Sequence, residues 1–324
     1  MRAHQEGLAH DRESGLDVRF ARSMGDQRAA AALLDRAEAH AGVPLVDEHE
    51  RTRLDEVAVL DGDPARHWHP LLAWRDGEPD PVGYVGLLLT PESEAAGDVV
   101  LAAGAGGDVL AILLEATRTL AGDHQAPAVG LWARHAPEWL LDTAIDLGWN
   151  VRRRLLVLGV DLDESHGRHG LPDGVALVAP GPGTDEAVAK LLRGAYRGTP
   201  NADWDAGKVE ALRALPWSDD EDLLLAARDG ELLGVHWTKR RDATTGEVYN
   251  LAVAAQARGL GLGSALLDLG LEHLRDVGAR RVLLWVDQDN AAARALYTSR
   301  GFTDRWHDVS LGTSTSSAEV AVER

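Results

Sequence analysis

The chain contains no cysteine. That excludes disulfides, thiolate nucleophiles and cysteine-ligated zinc or iron–sulfur centres together. No apolar run approaches 18 residues, and the N-terminal stretch MRAHQEGLAHDRESG has no hydrophobic segment of signal-peptide type. A soluble cytoplasmic protein with no membrane association is expected. Positive charge is scarce as well: 33 Lys plus Arg stand against 52 Asp plus Glu, a formal net charge of -19 at pH 7. No local basic patch offsets that balance, so nucleic acid and anionic lipid are not expected partners. The 13 histidines lack metal-ligand spacing. His67 and His69 in RHWHP stand two apart with no HExxH motif and no carboxylate at helical spacing; they read as a solvated loop, and no metal is expected.

What is present begins with length. The 324 residues are too many for one ordinary core and suit about two domains of roughly 150 residues, and a hydrophobic content of 45 % is ordinary for globular folds. Two stretches repeat the same order. GDVVLA (97–102) and GEVYNLA (246–252) are strand-like, and each leads through a glycine-containing loop into a leucine-rich helical pattern. Short apolar strands VGLWA (129–133) and VLLWV (282–286) come next, followed by the helical EWLLDTAIDLGW and NAAARALYTSRGF. The starts, 16–40 and 175–197, both read as strand, turn and capped helix. Domains are therefore expected at 16–160 and 174–311, with a polar linker at 161–173 and a loose tail at 312–324. The pattern within each copy is α/β, a mixed sheet with helices on its faces.

The stretch QARGLGLGSALL (256–267) sets three glycines at alternate positions before a helix. Such a turn is either a flexible connection or an anion site, where converging N–H groups and the helix dipole favour phosphate. A Walker A loop would need a Lys after the glycines. A dinucleotide fingerprint would need a third Gly at Ser264 or Leu266, so both patterns fail. Immediately upstream, period-2 alternation in EVYNLAV puts Glu247, Tyr249, Leu251 and Val253 on one face and Val248, Asn250 and Ala252 on the other. Glu247 and the glycine loop then lie at opposite ends of one strand, roughly 20 Å apart, which suits a long ligand with phosphates at one end. Downstream, Asp289 or Asn290 can cap a helix whose last turns carry Tyr297, itself either a functional phenol or an ordinary half-buried aromatic.

The run Gln256-Ala257-Arg258-Gly259-Leu260-Gly261 resembles the GNAT superfamily of acetyl-CoA-dependent N-acetyltransferases, whose motif is Q/R-x-x-G-x-G/A after a strand. Asn290, Ala293, Tyr297, Gly301 and Phe302 fit its downstream pattern. The tandem order, with LLGVHWTK (232–239) and VLLWVDQDNAAARALY (282–297), is similar to the mycothiol synthase family within it. The resemblance is strong over 232–302 and weak in the first domain. It implies two tandem GNAT domains, each a mixed, mostly antiparallel sheet flanked by helices, with the second one catalytic. It also implies acetyl-CoA as co-substrate and the cysteinyl amine of cysteinyl-glucosaminyl-inositol as acceptor, in a monomer acting on a small molecule.

By the same resemblance, Leu251, Ala252 and Val253 would hold the thioester and pantetheine arm. Gln256, Ala257, Arg258, Gly259, Leu260, Gly261 and Leu262 would cradle the pyrophosphate. Asn290, Ala291, Ala292, Ala293, Arg294 and Ala295 would line the pantetheine. Glu247 would be the general base and substrate contact, and Tyr297 would protonate the leaving thiolate. Asp47, Asn201, Lys239 and Trp285 are the further substrate candidates. Trp285 stands where the family usually has Tyr, and Asn201 where it has Glu; Lys239 could equally be a solvated surface lysine. In the first domain AAGAGGD (102–108) lacks the Gln or Arg, and Asp108 near the helix start would repel a pyrophosphate, so that domain is expected to be degenerate. The residues leave open a tandem GNAT enzyme for another primary amine, and a non-catalytic acyl-CoA-binding protein.

Overall fold

The computed structural model describes residues 8–55, 67–90, 93–162, 170–199 and 202–315. Two compact units divide the chain: one runs up to Leu155 and resumes at Trp306, and the other comprises Leu156–Arg305.

In the first unit, β1 (Ala9–Asp11) and β2 (Leu16–Phe20) lead into α1 (Met24–Ala41) and α2 (Glu48–Asp55). Strands β3 (Trp68–Arg75), β4 (Gly83–Leu88) and β5 (Ala95–Leu101) follow, then α3 (Gly107–Asp123), β6 (Ala128–Ala133), α4 (Glu138–Asp146) and the start of β7 (Asn150–Asp161). Helix α1 is fixed at both ends. Ser23 and Asp26 form a reciprocal capping box, and Gly42 closes the helix in the left-handed conformation. Its buried Ala30, Leu33, Leu34 and Ala37 form one stripe at helical spacing. Strand residues alternate between two cores: Leu71, Ala73, Val85 and Leu87 pack with α3 and α4, whereas Leu72 and Tyr84 pack with α1.

The second unit repeats the order. It contains the end of β7, then β8 (Ala176–Val178), α5 (Thr184–Ala195), α6 (Ala206–Arg213), β9 (Leu223–Arg228), β10 (Glu231–Arg240) and β11 (Thr245–Val253). Helix α7 (Leu262–Asp276), β12 (Arg281–Asp287) and α8 (Ala291–Thr298) complete it. Helices α5 and α6 cover the face that carries Val235, Trp237 and Ala252; α7 and the Tyr297–Phe302 segment cover the face that carries Val248, Val282 and Leu284. In both units one parallel pair lies among antiparallel ones, β5 with β6 and β11 with β12. This is the mixed α/β sheet expected from the repeat.

Two sequence readings change. The segment 312–324 does not begin as a tail: β13 (Thr303–Ser314) continues through it, and Gly312–Ser314 pair antiparallel with Gly130–Ala128 of β6. Val309, Leu311 and Thr313 alternate inward, so the apolar period outweighs the small, polar composition that suggests a tail. Residues 316–324 and 163–169, the latter most of the expected linker, lie outside the described residues. His69 is not in a solvated loop but in β3, half-buried against the Phe20 and His124 rings, and burial lowers its pKa to about 4.

The repeat also pairs residues across the units. Asp98 is the last residue of β5 paired with β6, opposite Trp132, just as Glu247 is the last of β11 paired with β12, opposite Leu283. Asp98 is buried, and burial pushes its carboxyl up to about 7 despite the Arg134 guanidinium 3.3 Å away; the Asp47 and Glu50 charges push in the same direction. A carboxyl raised in the folded state from 3.8 contributes stability at low pH that is lost as pH climbs through 7. Urea denaturation of Asp98→Asn at pH 4.5 and pH 8 should therefore show the variant gaining on the wild type by a few kcal/mol at the higher pH. A difference independent of pH would contradict a buried, titrating Asp98.

Candidate active site

Strand β11 organises the site. Its pairing with β10 skips one residue: Trp237 lies opposite Asn250 but Thr238 lies opposite Val248, so Tyr249 is the extra residue of a β-bulge. The bulge overturns the expected alternation. Glu247, Tyr249 and Ala252 share the face of Trp237, while Leu251 and Val253 turn to the α7 face beside Leu262 and Leu266. A single inserted residue exchanges the faces of everything beyond it.

The parallel pairing of β11 with β12 covers only Thr245–Glu247 against Arg281–Leu283. Beyond Glu247 the two strands lose their ladder, so the edge of Asn250–Val253 that faces β12 is open to a ligand. Parallel strands splitting in this way offer backbone N–H and C=O groups to an extended chain, the mode by which a peptide-like arm adds to a sheet. At the far end of the split, a short 3-10 turn at Ala255–Ala257 leads into extended Arg258, and Gly259 and Gly261 take positive φ values of 78° and 79°. Gly261 is the N-cap of α7, and Ala265 is the first residue whose N–H returns to its carbonyl. The N–H groups of Gly259 through Ser264 donate to no other described residue. Six consecutive free donors at a helix N-terminus make an anion cradle.

Several expected contacts around the loop take specific forms. Gln256 turns its amide to Glu231, 2.9 Å away, Arg258 and Leu260 are exposed, and Ala257 and Leu262 are buried as anchors. Of the two capping candidates it is Asn290 that caps α8, accepting from the Ala293 N–H at 3.1 Å. Ala291, Ala292 and Ala295 stay exposed along the same helix, and Arg294 donates to the Gln288 carbonyl at 3.1 Å. Tyr297 is buried against Phe302, with ring centroids 5.7 Å apart. Burial pushes its phenol well up, and the neighbouring Tyr196 adds to the shift, so Tyr297 is protonated at neutral pH.

Glu247 is buried and directly opposite Lys239 across the strand pair. Its carboxylate accepts from Arg241 at 2.6 Å, and the Arg241 guanidinium in turn lies 4.9 Å over the Trp285 ring. Lys239 is buried rather than solvated: its ammonium lies 4.5 Å from the Trp217 ring and 5.6 Å from Tyr249. Trp217, Trp237 and Tyr249 form a mutually packed aromatic wall, with centroid separations of 5.1–6.1 Å. Asp47 belongs to the first unit, where its exposed carboxylate caps α2 through the Glu50 N–H at 2.7 Å. Asn201 lies outside the described residues. In the first unit, α3 begins at Gly107 with no side-chain cap, and Asp108 is held by Arg75 at 2.7 Å.

Residues 186–302 match the Acetyltransferase (GNAT) family. Over 300 residues the chain is 35% identical to the mycothiol acetyltransferase of Geodermatophilus obscurus, covering 87% of this chain and 92% of that protein. The chain belongs to the mycothiol acetyltransferase family. A shorter match, 44% identical to the member from Thermomonospora curvata, covers 41% of this chain and 46% of that protein. The fold agrees: a tandem GNAT protein from the clavulanic acid biosynthesis pathway superposes with a TM-score of 0.67 at 18% identity, covering 94% of this chain and all of that one (100%). A mycothiol acetyltransferase family member is an N-acetyltransferase, and the split strands and glycine loop of the second unit are where the GNAT match falls.

Sequence reasoning misses Arg241, Trp217 and Tyr196. Arg241 stands in the turn six positions before Glu247, and its spacing marks no chemistry. Trp217 and Tyr196 come from the α6–β9 connection and the end of α5, and only packing against β11 brings them to the site.

Proposed function

We propose that the enzyme transfers the acetyl group of acetyl-CoA to the cysteinyl amine of cysteinyl-glucosaminyl-inositol, and that the second unit alone performs the transfer. The observation carrying this reading is the split between β11 and β12, which begins at a buried carboxylate and ends at the free N–H groups of Gly259–Ser264. Pyrophosphate would sit on those donors, the pantetheine arm would lie along Leu251–Val253 and the first turn of α8, and the thioester would lie near the bulge. Glu247 accepts a proton from the substrate ammonium, directly or through water, and the freed amine attacks the thioester carbonyl. The C–N bond forms, the C–S bond breaks, and the departing thiolate takes the Tyr297 proton.

Arg241 already balances the Glu247 charge, so an incoming ammonium must share that carboxylate or displace the guanidinium onto Trp285. Lys239 and Trp285 are the other proposed substrate contacts within the second unit. Trp285 favours a second reading, a tandem GNAT enzyme for a different primary amine, because an indole replaces the expected phenol. The deciding experiment follows CoA release from acetyl-CoA with cysteinyl-glucosaminyl-inositol and with a panel of simple primary amines. Release should be fastest with the cysteinyl compound. Activity only on another amine would leave the superfamily chemistry and remove this substrate.

A further inference from the structure

The proposed transfer uses one phenol, yet a second one stands against Asn250, beside the strand segment proposed to hold the thioester. Tyr196 caps the C-terminus of α5, its N–H returning to the Leu192 carbonyl at 2.9 Å. Its side chain packs into the core formed by Val188, Trp237 and Ala252, which aims the ring at β11 just past the bulge. The hydroxyl donates to the Asn250 side-chain carbonyl at 3.2 Å, and the Leu251 backbone partly offsets the effect of burial on its pKa. Burial raises this phenol to about 12, so it is a permanent O–H donor in the neutral range. Leu251, the residue after Asn250, is the first of the proposed thioester-binding segment.

Resting on the reading of Leu251 as a thioester contact, we propose that Tyr196 is a catalytic residue: an oxyanion donor working beside the Leu251 N–H. When the amine nitrogen attacks, the C–N bond forms and the carbonyl electron pair moves onto the oxygen. In the bound thioester that oxygen already accepts from the Leu251 N–H and from the Tyr196 O–H, which has left the neutral Asn250 acceptor on binding, and both bonds strengthen as the oxygen gains negative charge. Charge-assisted hydrogen bonds are roughly twice as strong as neutral ones, so the strengthening favours the tetrahedral intermediate over the bound thioester. On collapse the pair returns to the carbonyl, the C–S bond breaks, and on product release Tyr196 goes back to Asn250 with its proton. Asn250 thus receives the phenol hydrogen bond between turnovers, while packing against the core of Val188, Trp237 and Ala252 holds the ring.

The test is the carbon-13 resonance of [1-13C]acetyl-CoA bound to the full-length protein, read alongside kcat and acetyl-CoA affinity. In the wild type the bound carbonyl should lie downfield of free acetyl-CoA. Tyr196→Phe should move it back toward the free position and lower kcat by about 10–100-fold, with Kd for acetyl-CoA held within about threefold. An unchanged resonance in that variant would overturn the assignment, whether or not the rate falls, because a rate loss alone would mark a packing role. Asn250→Ala supplies the second variant. It keeps the phenol and should keep the downfield resonance, whereas a return to the free position there would assign the polarisation to strand geometry and overturn the role of Tyr196. Absence of any bound resonance in the wild type would sink the acetyl-CoA site itself, a result distinct from a bound carbonyl indifferent to Tyr196.

Discussion

Glu247→Gln is expected to lower kcat by about 10²–10⁴-fold while leaving the Kd for acetyl-CoA within about twofold. Glutamine keeps the shape of the side chain and can still accept a hydrogen bond, but it cannot hold the proton taken from the attacking ammonium. The separation of effects follows from position. Glu247 is the last residue of β11 paired to β12, while the donors for phosphate begin at Gly259. Cofactor binding therefore has no contact to lose. Initial rates and calorimetric titration with acetyl-CoA on the same preparation decide it. An undiminished rate would remove Glu247 as the base, and a rate loss matched by an equal loss of affinity would mark damage to the strand split instead.

The second large effect belongs to the glycine loop. Gly261 has φ of 79° and is the N-cap of α7, and an added Cβ would meet nothing within 4 Å. Gly261→Val is therefore not excluded by space but by conformation. A left-handed residue costs an L side chain about 1–2 kcal/mol, and a branched one more, so the loop must rearrange and its donors lose their convergence. Affinity for acetyl-CoA should fall by at least about tenfold, the equivalent of about 1.4 kcal/mol. Gly263 supplies the control. Its φ is not positive, and an added Cβ would meet Val253 and Leu296 at 3.6 and 3.8 Å, ordinary contact distances. Gly263→Ala should bind acetyl-CoA nearly as well as the wild type.

Much of the fold and the site is legible in the amino-acid order. The repeated succession of strand, loop and helix announces two α/β units, and the glycine loop falls between β11 and α7 because Gly at a left-handed N-cap is a local requirement that sequence expresses directly. The Asn290 cap and the helical position of Tyr297 are legible for the same reason. The bulge at Tyr249 is not: alternation over seven residues is equally consistent with an unbroken strand, and the extra residue is visible only from its partner on β10. An unbroken strand puts Leu251 and Val253 on the wrong face. Lys239 is ambiguous because a lysine buries its charge only where aromatic faces receive it, and Trp217 is remote in sequence. Tyr196 and Arg241 belong to the same class. Each acts on β11 from another element, and no short-range pattern records such a meeting.

The central claim is that one of the two repeated units holds the cofactor. Asp98 occupies the position of Glu247 in the first unit, but there Asp108 places a carboxylate at the start of α3, where the second unit has none. Native mass spectrometry at low micromolar acetyl-CoA tests that claim most directly. The wild type should carry one acetyl-CoA per chain and Gly261→Val clearly less than one. Two per chain in the wild type, or one retained by the variant, would contradict it.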